Sequence, residues 1–268
     1  MSAPAKLEAL IFDVDGTLAE TEELHRAAFN ETFAAAGLDW HWDQRLYGVL
    51  LSTTGGKERM TRYVTECLGR TPAQLPPGHT IASLHAAKTA VFARLLTAGK
   101  IDLRLGVRQL LRQARSSGLR LAIATTTSRA NVDALLRATL GAEANGIFDV
   151  IVAGDEAARK KPAPDVYLEA LSRLRLAADA CLAIEDSNNG LAAALSADLA
   201  VLMTASRYTA GETFTGALKV VASLDDLAPS RCDRDARSTP SGHELLAAIQ
   251  SLHAARGHDA DRHRRPAP

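Results

Sequence analysis

Short apolar runs recur along the chain at Leu7–Phe12, Leu119–Thr125, Phe148–Ala153, Cys181–Ile184, Leu199–Met203 and Leu218–Val221. They are too short for helices and largely apolar throughout rather than alternating, which is the pattern of strands buried on both faces. The later ones alternate with stretches of helical periodicity at Val107–Ser117, Arg129–Leu140, Asp165–Leu174 and Gly190–Ala197. This rhythm predicts an α/β fold, a Rossmann-like parallel sheet with helices on both faces, and places ligand sites at the carboxyl ends of the strands.

Between the first run and the second the rhythm changes. Helical patterns cover Glu22–Ala36, Gly56–Leu68 and Ile81–Ala98, with Pro72, Pro76 and Pro77 in the loop between the last two. The stretch is too long for a simple crossover. It predicts an inserted α-helical cap over residues 20–103, so that residues 1–19 and 104–229 form the sheet domain. Beyond Pro229 the composition turns to Arg, Asp, Ser, Pro and His. Leu245, Leu246, Ile249 and Leu252 can line one face of a short helix, whereas Gly257–Pro268 reads as a polar tail, so residues 230–268 are expected to be a partly disordered C-terminal extension.

The 268 residues include 47% apolar positions, enough for a sizeable core. Thirty-one basic residues balance thirty-one acidic ones, leaving no overall charge to attract nucleic acid or an anionic membrane. Small molecules are the expected partners, and a monomer the expected state. Cys67, Cys181 and Cys232 are odd in number and widely spaced, as reduced thiols would be. With neither a signal-peptide pattern nor a long apolar run, the expected location is cytoplasmic.

Chemistry concentrates where the predicted strands end. The first leads into Asp13-Val14-Asp15-Gly16-Thr17. Residues two apart in an extended chain project to one side, so Asp13 and Asp15 can share a site, and Gly16 lets the chain turn. Two carboxylates at that range repel unless a cation or a proton sits between them, and an oxygen-rich pair suits Mg²⁺. The second strand leads into Thr125-Thr126-Thr127-Ser128, able to hold phosphate oxygens or to cap the helix that follows. After the third come Lys160 and Lys161, just before Pro162 and Pro164: either a restrained cation aimed inward or an exposed basic turn. The fourth ends in Glu185-Asp186-Ser187-Asn188-Asn189-Gly190, whose acids suit a metal shared with Asp13 or a helix N-cap at Asp186. Each feature alone has a structural explanation. Their coincidence at four strand ends of one sheet favours a phosphoryl-transfer centre.

The order Asp13-x-Asp15-Gly-Thr, Thr125, Lys161-Pro and Glu185-Asp186-Ser187 resembles the four motifs of the haloacid dehalogenase superfamily, over roughly residues 7–227. The helical insertion resembles the cap of its β-phosphoglucomutase-like subgroup. The resemblance implies that Asp13 is the nucleophile that forms an aspartyl-phosphate, and that Asp15 is general acid for the leaving oxygen and then base for water. It implies Mg²⁺ held by Asp13, the Asp15 carbonyl and Asp186, with Glu185 in or near that shell. Thr125 would hydrogen-bond the transferring phosphoryl group and Lys161 would neutralise its charge. The acid at position 15 sets the chain apart from the halide-cleaving and phosphonate-cleaving members and leaves phosphate-ester chemistry.

Within the insertion, Tyr47 to Arg59 contains Gly55-Gly56 ahead of a helix, which can form an N–H nest for an anion, with Lys57 and Arg59 adding charge. A flexible loop with two exposed cations is the alternative. The stretches Thr53 to Arg59, Thr125 to Asn131 and Ile184 to Gly190 resemble the CbbY-type branch, which implies removal of a phosphate from xylulose-1,5-bisphosphate, an inhibitor of Calvin-cycle carbon fixation. That substrate would place one phosphate at the Mg²⁺ centre and the other on the cap. Glu20 and His25 at the entry to the cap, Tyr47, Lys88 on its last helix, Thr126 and Asn189 complete the expected substrate contacts, although a hinge histidine satisfied by backbone reads His25 equally well. A β-phosphoglucomutase-like mutase, a broader sugar-phosphate phosphatase and a non-catalytic phosphosugar-binding module are the competing functions.

Overall fold

The computed structural model describes residues 5–99, 101–227 and 244–262. Strands β1 (Ala9–Phe12), β2 (Arg120–Thr125), β3 (Val150–Ala153), β4 (Cys181–Glu185), β5 (Ala200–Thr204) and β6 (Lys219–Val221) make one parallel sheet in the order β3-β2-β1-β4-β5-β6. Every apolar run read from the sequence is a strand of this sheet. Leu10 and Phe12 of β1 enter one core with Ile123, Ile184 and Leu202. Ala9 and Ile11 enter the other with Ala124, Ala183 and Val201. Burial of both faces explains the near-continuous apolar character of the strands.

Between β1 and β2 run α1 (Glu22–Ala35), α2 (Gln44–Leu50), α3 (Gly56–Arg62, continued by a wider π-helical turn at Tyr63–Cys67), α4 (Ile81–Ala98) and α5 (Val107–Ser116). Helix α6 (Arg129–Leu140) packs with α5 on one face of the sheet, and α7 (Asp165–Leu174) and α8 (Asn188–Leu195) on the other. The first four helices gather a separate aromatic core of Phe29, Phe33, Trp40, Trp42, Tyr47 and Tyr63. Each such ring contributes roughly 2–3 kcal/mol on burial, so the cluster binds these helices to one another. This core is the ground for our proposed division between a cap at residues 20–103 and a sheet domain at 1–19 and 104–229. The cap is seated firmly, because Ala28 of α1 and Phe92 and Leu96 of α4 belong to the sheet core.

Two parts of the chain differ from expectation. The stretch beginning at Tyr47 is not all loop: α2 covers its start, seven residues with Gly48 inside, too short and too weak in propensity to stand out, and nucleated by the Asp43 carboxylate accepting from Leu46 N at 2.7 Å. Beyond the sheet domain, α9 (Glu244–Arg262) carries the backbone past Gly257, where a tail was expected, and seats Leu245, Leu246 and Ile249 in the sheet core. Residues 228–229 of the expected sheet domain and 230–243 and 263–268 of the expected extension, Cys232 among them, lie outside the described residues. Cys67 is an exposed free thiol and Cys181 a buried one. Among the described residues no helix is long and apolar enough to cross a membrane.

Candidate active site

The parallel register of the sheet builds the centre. Phe12 pairs with Ile184 on one side and Ile123 on the other, so the next residue, Asp13, lies between the ends of β4 and β2, with its N–H donating to the Ile184 carbonyl at 3.0 Å. Lys161, from the loop after β3, drives a buried ammonium into the same place. It donates to Asp13 Oδ1 at 2.6 Å, Glu185 Oε1 at 2.5 Å and the Ala124 carbonyl at 2.9 Å. All three donors of the ammonium are used, which fixes its position as no exposed lysine could be. Burial alone would strip its proton, but the two carboxylates outweigh burial and raise its pKa. Lys160, its neighbour, takes the other reading of the pair and turns to the Asp155 carboxylate at 2.9 Å.

Asp13, Glu185 and Asp186 are all buried, and each brings a carboxylate oxygen within 4.8 Å of the others. Burial, together with Glu185 and Asp15 and against the pull of Lys161, pushes Asp13 up to about 8. Burial, with Glu185 and Asp13 beside it, pushes Asp186 well above the carboxylate range. The lysine charge is therefore too little for three anions, and an all-oxygen set in this electrostatic state is a fitting host for a hard divalent cation. The donors are not equivalent. Glu185 Oε1 also accepts from Tyr167 OH at 2.7 Å and Oε2 from Asp186 N at 3.0 Å, so Glu185 is occupied in holding Lys161. Gly190 makes this possible: a Cβ there would sit 1.9 Å from the Glu185 carboxyl carbon. Gly16 does the same for Asp186, whose Oδ2 lies 2.2 Å from where a Cβ would stand, and its φ of +82° suits glycine besides.

The other expected roles separate under the geometry. The caps of the following helices are Ser128, which accepts from Asn131 N, and Ser187, which accepts from Gly190 N. Asp186 and the threonines are thus free of capping duty, and Thr125 and Thr126 face the cavity. The Asp15 carboxylate turns away from the acid cluster, accepting from Thr21 Oγ1 and from His25 Nε2 at 3.0 Å, so only its carbonyl remains for a metal. Burial would raise Asp15, but His25, Thr21 and Lys88 outweigh it and hold it well below the usual range. Lys88 Nζ donates to His25 Nδ1 at 2.5 Å, which makes Nε2 the protonated nitrogen facing Asp15, and the ring stacks on Phe92 at 3.9 Å. His25 is therefore satisfied by side chains, not by backbone. Burial and the neighbouring Lys88 charge lower its pKa, and burial lowers Lys88 itself to about 7.

A cavity of about 550 Å³ opens from this centre to the cap, lined by Asp13, Asp15, His25, Lys57, Arg59, Lys88, Thr125, Lys161, Asp186 and Asn189 among others. Two expected substrate contacts lie outside its lining. Glu20 points the other way, pairing with Arg104 at 3.2 Å, because it precedes α1 and falls on the hinge rather than on the inward face of that helix. Tyr47 is fully buried behind the wall, donating to Glu22 Oε2 at 2.6 Å and accepting from Arg59 Nη1 at 2.9 Å. Gly55 and Gly56 line the cavity, but the Glu58 carboxylate fills the space beside Gly55, where a Cβ would meet it at 2.1 Å. Lys57 is paired with Asp155 at 2.8 Å, and Asn189 donates to the Ser52 carbonyl at 3.0 Å. Arg59 is 8% exposed, and its Nε has no hydrogen-bond partner.

Sequence reasoning passed over Thr21, Glu22 and Tyr167. Glu22 was findable, since Glu22, His25 and Phe29 are three and four residues apart on α1 and all line the cavity. Tyr167 was not, because only the packing of α7 over β2 and β3 brings its hydroxyl to Glu185.

Residues 7–198 match the haloacid dehalogenase-like hydrolase family model, and the chain belongs to that family. It is an enzyme of the phosphatase kind within it. Protein CbbY of Rhodobacter capsulatus is 58% identical over 212 residues, covering 79% of this chain and 91% of that protein. The crystal structure of CbbY from Rhodobacter sphaeroides with phosphate superposes with a TM-score of 0.78 at 50% identity, covering 82% of this chain and 96% of that one. A variant of the same enzyme, solved with xylulose-1,5-bisphosphate, gives the same figures.

Proposed function

We propose that this chain is a Mg²⁺-dependent phosphatase acting on a sugar bisphosphate, xylulose-1,5-bisphosphate in particular. The observation that carries the reading is the layout of one cavity: an acid cluster with a fully engaged lysine at one end, and at the other the buried guanidinium of Arg59 with an unpartnered N–H. A bisphosphate satisfies both ends, and the similar enzyme solved with that sugar supports the same choice.

Asp13 attacks the phosphorus of the scissile phosphate and becomes an aspartyl-phosphate, while Lys161 and Thr125 bind the charged oxygens of the transferring group. Asp15, protonated as the anionic phosphate enters beside it, gives that proton to the sugar oxygen as it leaves and later takes one from the water that cleaves the aspartyl-phosphate. His25 and Thr21 orient its carboxylate for both steps. Asp13, Asp186 and the Asp15 carbonyl would hold Mg²⁺, which would supply charge stabilisation to the phosphoryl oxygens. Glu185 and Tyr167 keep Lys161 in place. The cap closes the cavity to bulk water.

The test is Mg²⁺-dependent phosphate release from xylulose-1,5-bisphosphate, ribulose-1,5-bisphosphate, fructose-1,6-bisphosphate and β-glucose-1-phosphate. Strong preference for the xylulose compound is expected. Equal rates on all four would reduce the protein to a broad phosphatase, and glucose-6-phosphate formed without free phosphate would make it a mutase.

A further inference from the structure

Outside the cavity, one buried cation is bound as completely as Lys161. Arg104 begins the return of the chain from the cap to the sheet domain, and its side chain is only 10% exposed. Its Nε faces Glu20 Oε1 at 3.2 Å, on the outgoing strand of the hinge. One terminal nitrogen donates to the carbonyl of Gly16 and, at 2.7 Å, to that of Thr204. The other donates to the carbonyls of Ala205 and Ala222, each at 2.7 Å. The two terminal nitrogens of the guanidinium thus donate to four backbone carbonyls while Nε is ion-paired with Glu20, and the Arg104 backbone N–H adds a bond to the Leu18 carbonyl at 2.8 Å. The acceptors come from the turn after Asp15, the end of β5 and the end of β6. The ends of β5 and β6 are already joined by Ala205 N donating to the Val221 carbonyl at 3.0 Å, and Arg104 adds the turn to that pair through a fork that an ammonium has too few donors to replace.

We propose that Arg104 is a positioning residue for Asp15: it anchors the Asp15-Gly16 turn and both hinge strands to the fixed ends of β5 and β6, so that the acid keeps its place relative to Asp13. The inference rests on the assignment of Asp15 as general acid. The turn itself is tight, with the Val14 carbonyl accepting from Thr17 and Leu18 and Gly16 N donating to the Ala19 carbonyl at 2.9 Å, but these bonds are internal to it. Among the described residues, Arg104 is the side chain that joins the Gly16 carbonyl to the ends of β5 and β6. A displacement of the order of 1 Å at such a group costs proton transfer far more than it costs attack by Asp13, which lies two residues earlier but is held separately, by its N–H on the Ile184 carbonyl and its carboxylate on Lys161.

The discriminating readout is the dependence on the leaving group. A sugar oxygen needs the proton from Asp15; p-nitrophenolate departs as an anion without it. In single-turnover formation of the aspartyl-phosphate, Arg104→Lys should slow the reaction of xylulose-1,5-bisphosphate by about tenfold or more and leave that of p-nitrophenyl phosphate within about twofold of the unmodified enzyme. Equal loss on both substrates would mean general damage to the fold and would overturn the proposal, as would no loss on either. If Arg104→Lys does not fold, Glu20→Gln, which keeps every carbonyl contact, should show the same split at about threefold, and an even loss there overturns the proposal in the same way. Asp15→Asn is the control. A split in Asp15→Asn without one in Arg104→Lys sinks the positioning role alone, whereas an even loss in Asp15→Asn removes the acid assignment and the inference built on it.

Discussion

The two ends of the cavity are built by opposite rules. At the sheet end each group hangs from the tip of a parallel strand or the loop just past it, is almost wholly buried, and is satisfied by groups from other strands: Lys161 alone joins Asp13, Glu185 and the end of β2. At the cap end the groups ride on helices over an aromatic core and are satisfied mostly by one another, as in the Glu22–Tyr47–Arg59 chain. The cap reaches the sheet domain both by buried links, as where His25 meets Asp15, and by exposed ones. The Lys57–Asp155 pair has side chains 43% and 69% exposed. The chemistry is thus held by strand register, which cannot slide without breaking the sheet, while recognition is held by side chains that can be exchanged within the cap.

The sharpest way to break this contrast is Asp13→Asn, which keeps shape and removes the nucleophile. Turnover should fall by at least about 10³-fold with the melting temperature little changed, and near-normal phosphate release would dismantle the sheet-end assignment. Arg59→Ala should act on recognition alone. Loss of a charged hydrogen bond of about 2 kcal/mol corresponds to a KM roughly thirtyfold higher for the bisphosphate, with kcat largely kept. A fall in kcat with constant KM would place Arg59 in the chemistry.

Lys88 tests the boundary between the two ends. Its folded-state pKa is lowered from 10.5 to about 7, by burial first, so the folded protein binds fewer protons than the unfolded chain between those values. The burial penalty is present in full below about pH 7 and is relieved as the pH rises toward 10.5. Lys88→Met should therefore be more stable than the parent at pH 6, and by up to about 2 kcal/mol less so at pH 9, in denaturant titrations at the two values. A constant difference would show that the lysine keeps its ordinary pKa. The smallest effect is expected at Lys57→Ala: an exposed pair contributes at most about 1 kcal/mol, so kcat/KM should change by no more than about fivefold. A larger rise in KM would return Lys57 to the distal phosphate.

Legibility followed the same division. The four strand-end motifs could be read because each is a local string whose chemistry is evident once the strand is recognised, and the structure gathers all of them except the Asp15 carboxylate at one acid cluster. The cap contacts were read less well. Glu20 and Glu22 are two residues apart, and only the phase of α1, set by the packing of Phe29 and Phe33, turns one toward the hinge and the other toward the cavity. Likewise the distinction between Arg59, buried and half-partnered, and Lys57, exposed and paired, depends on α3 docking over Tyr47.

What the chain determines by itself is periodicity and local chemistry. Runs buried on both faces require a covered parallel sheet, and acids or lysines at their ends require a polar site there, because these follow from residues a few positions apart. What the tertiary structure alone decides is which charges meet. That Glu185 holds Lys161 in place, that Asp15 turns to His25, and that Arg104 ties two hinge strands to β5 and β6 all depend on segments distant in sequence. Their hydrogen-bond partners are selected by packing geometry, and no local pattern encodes it.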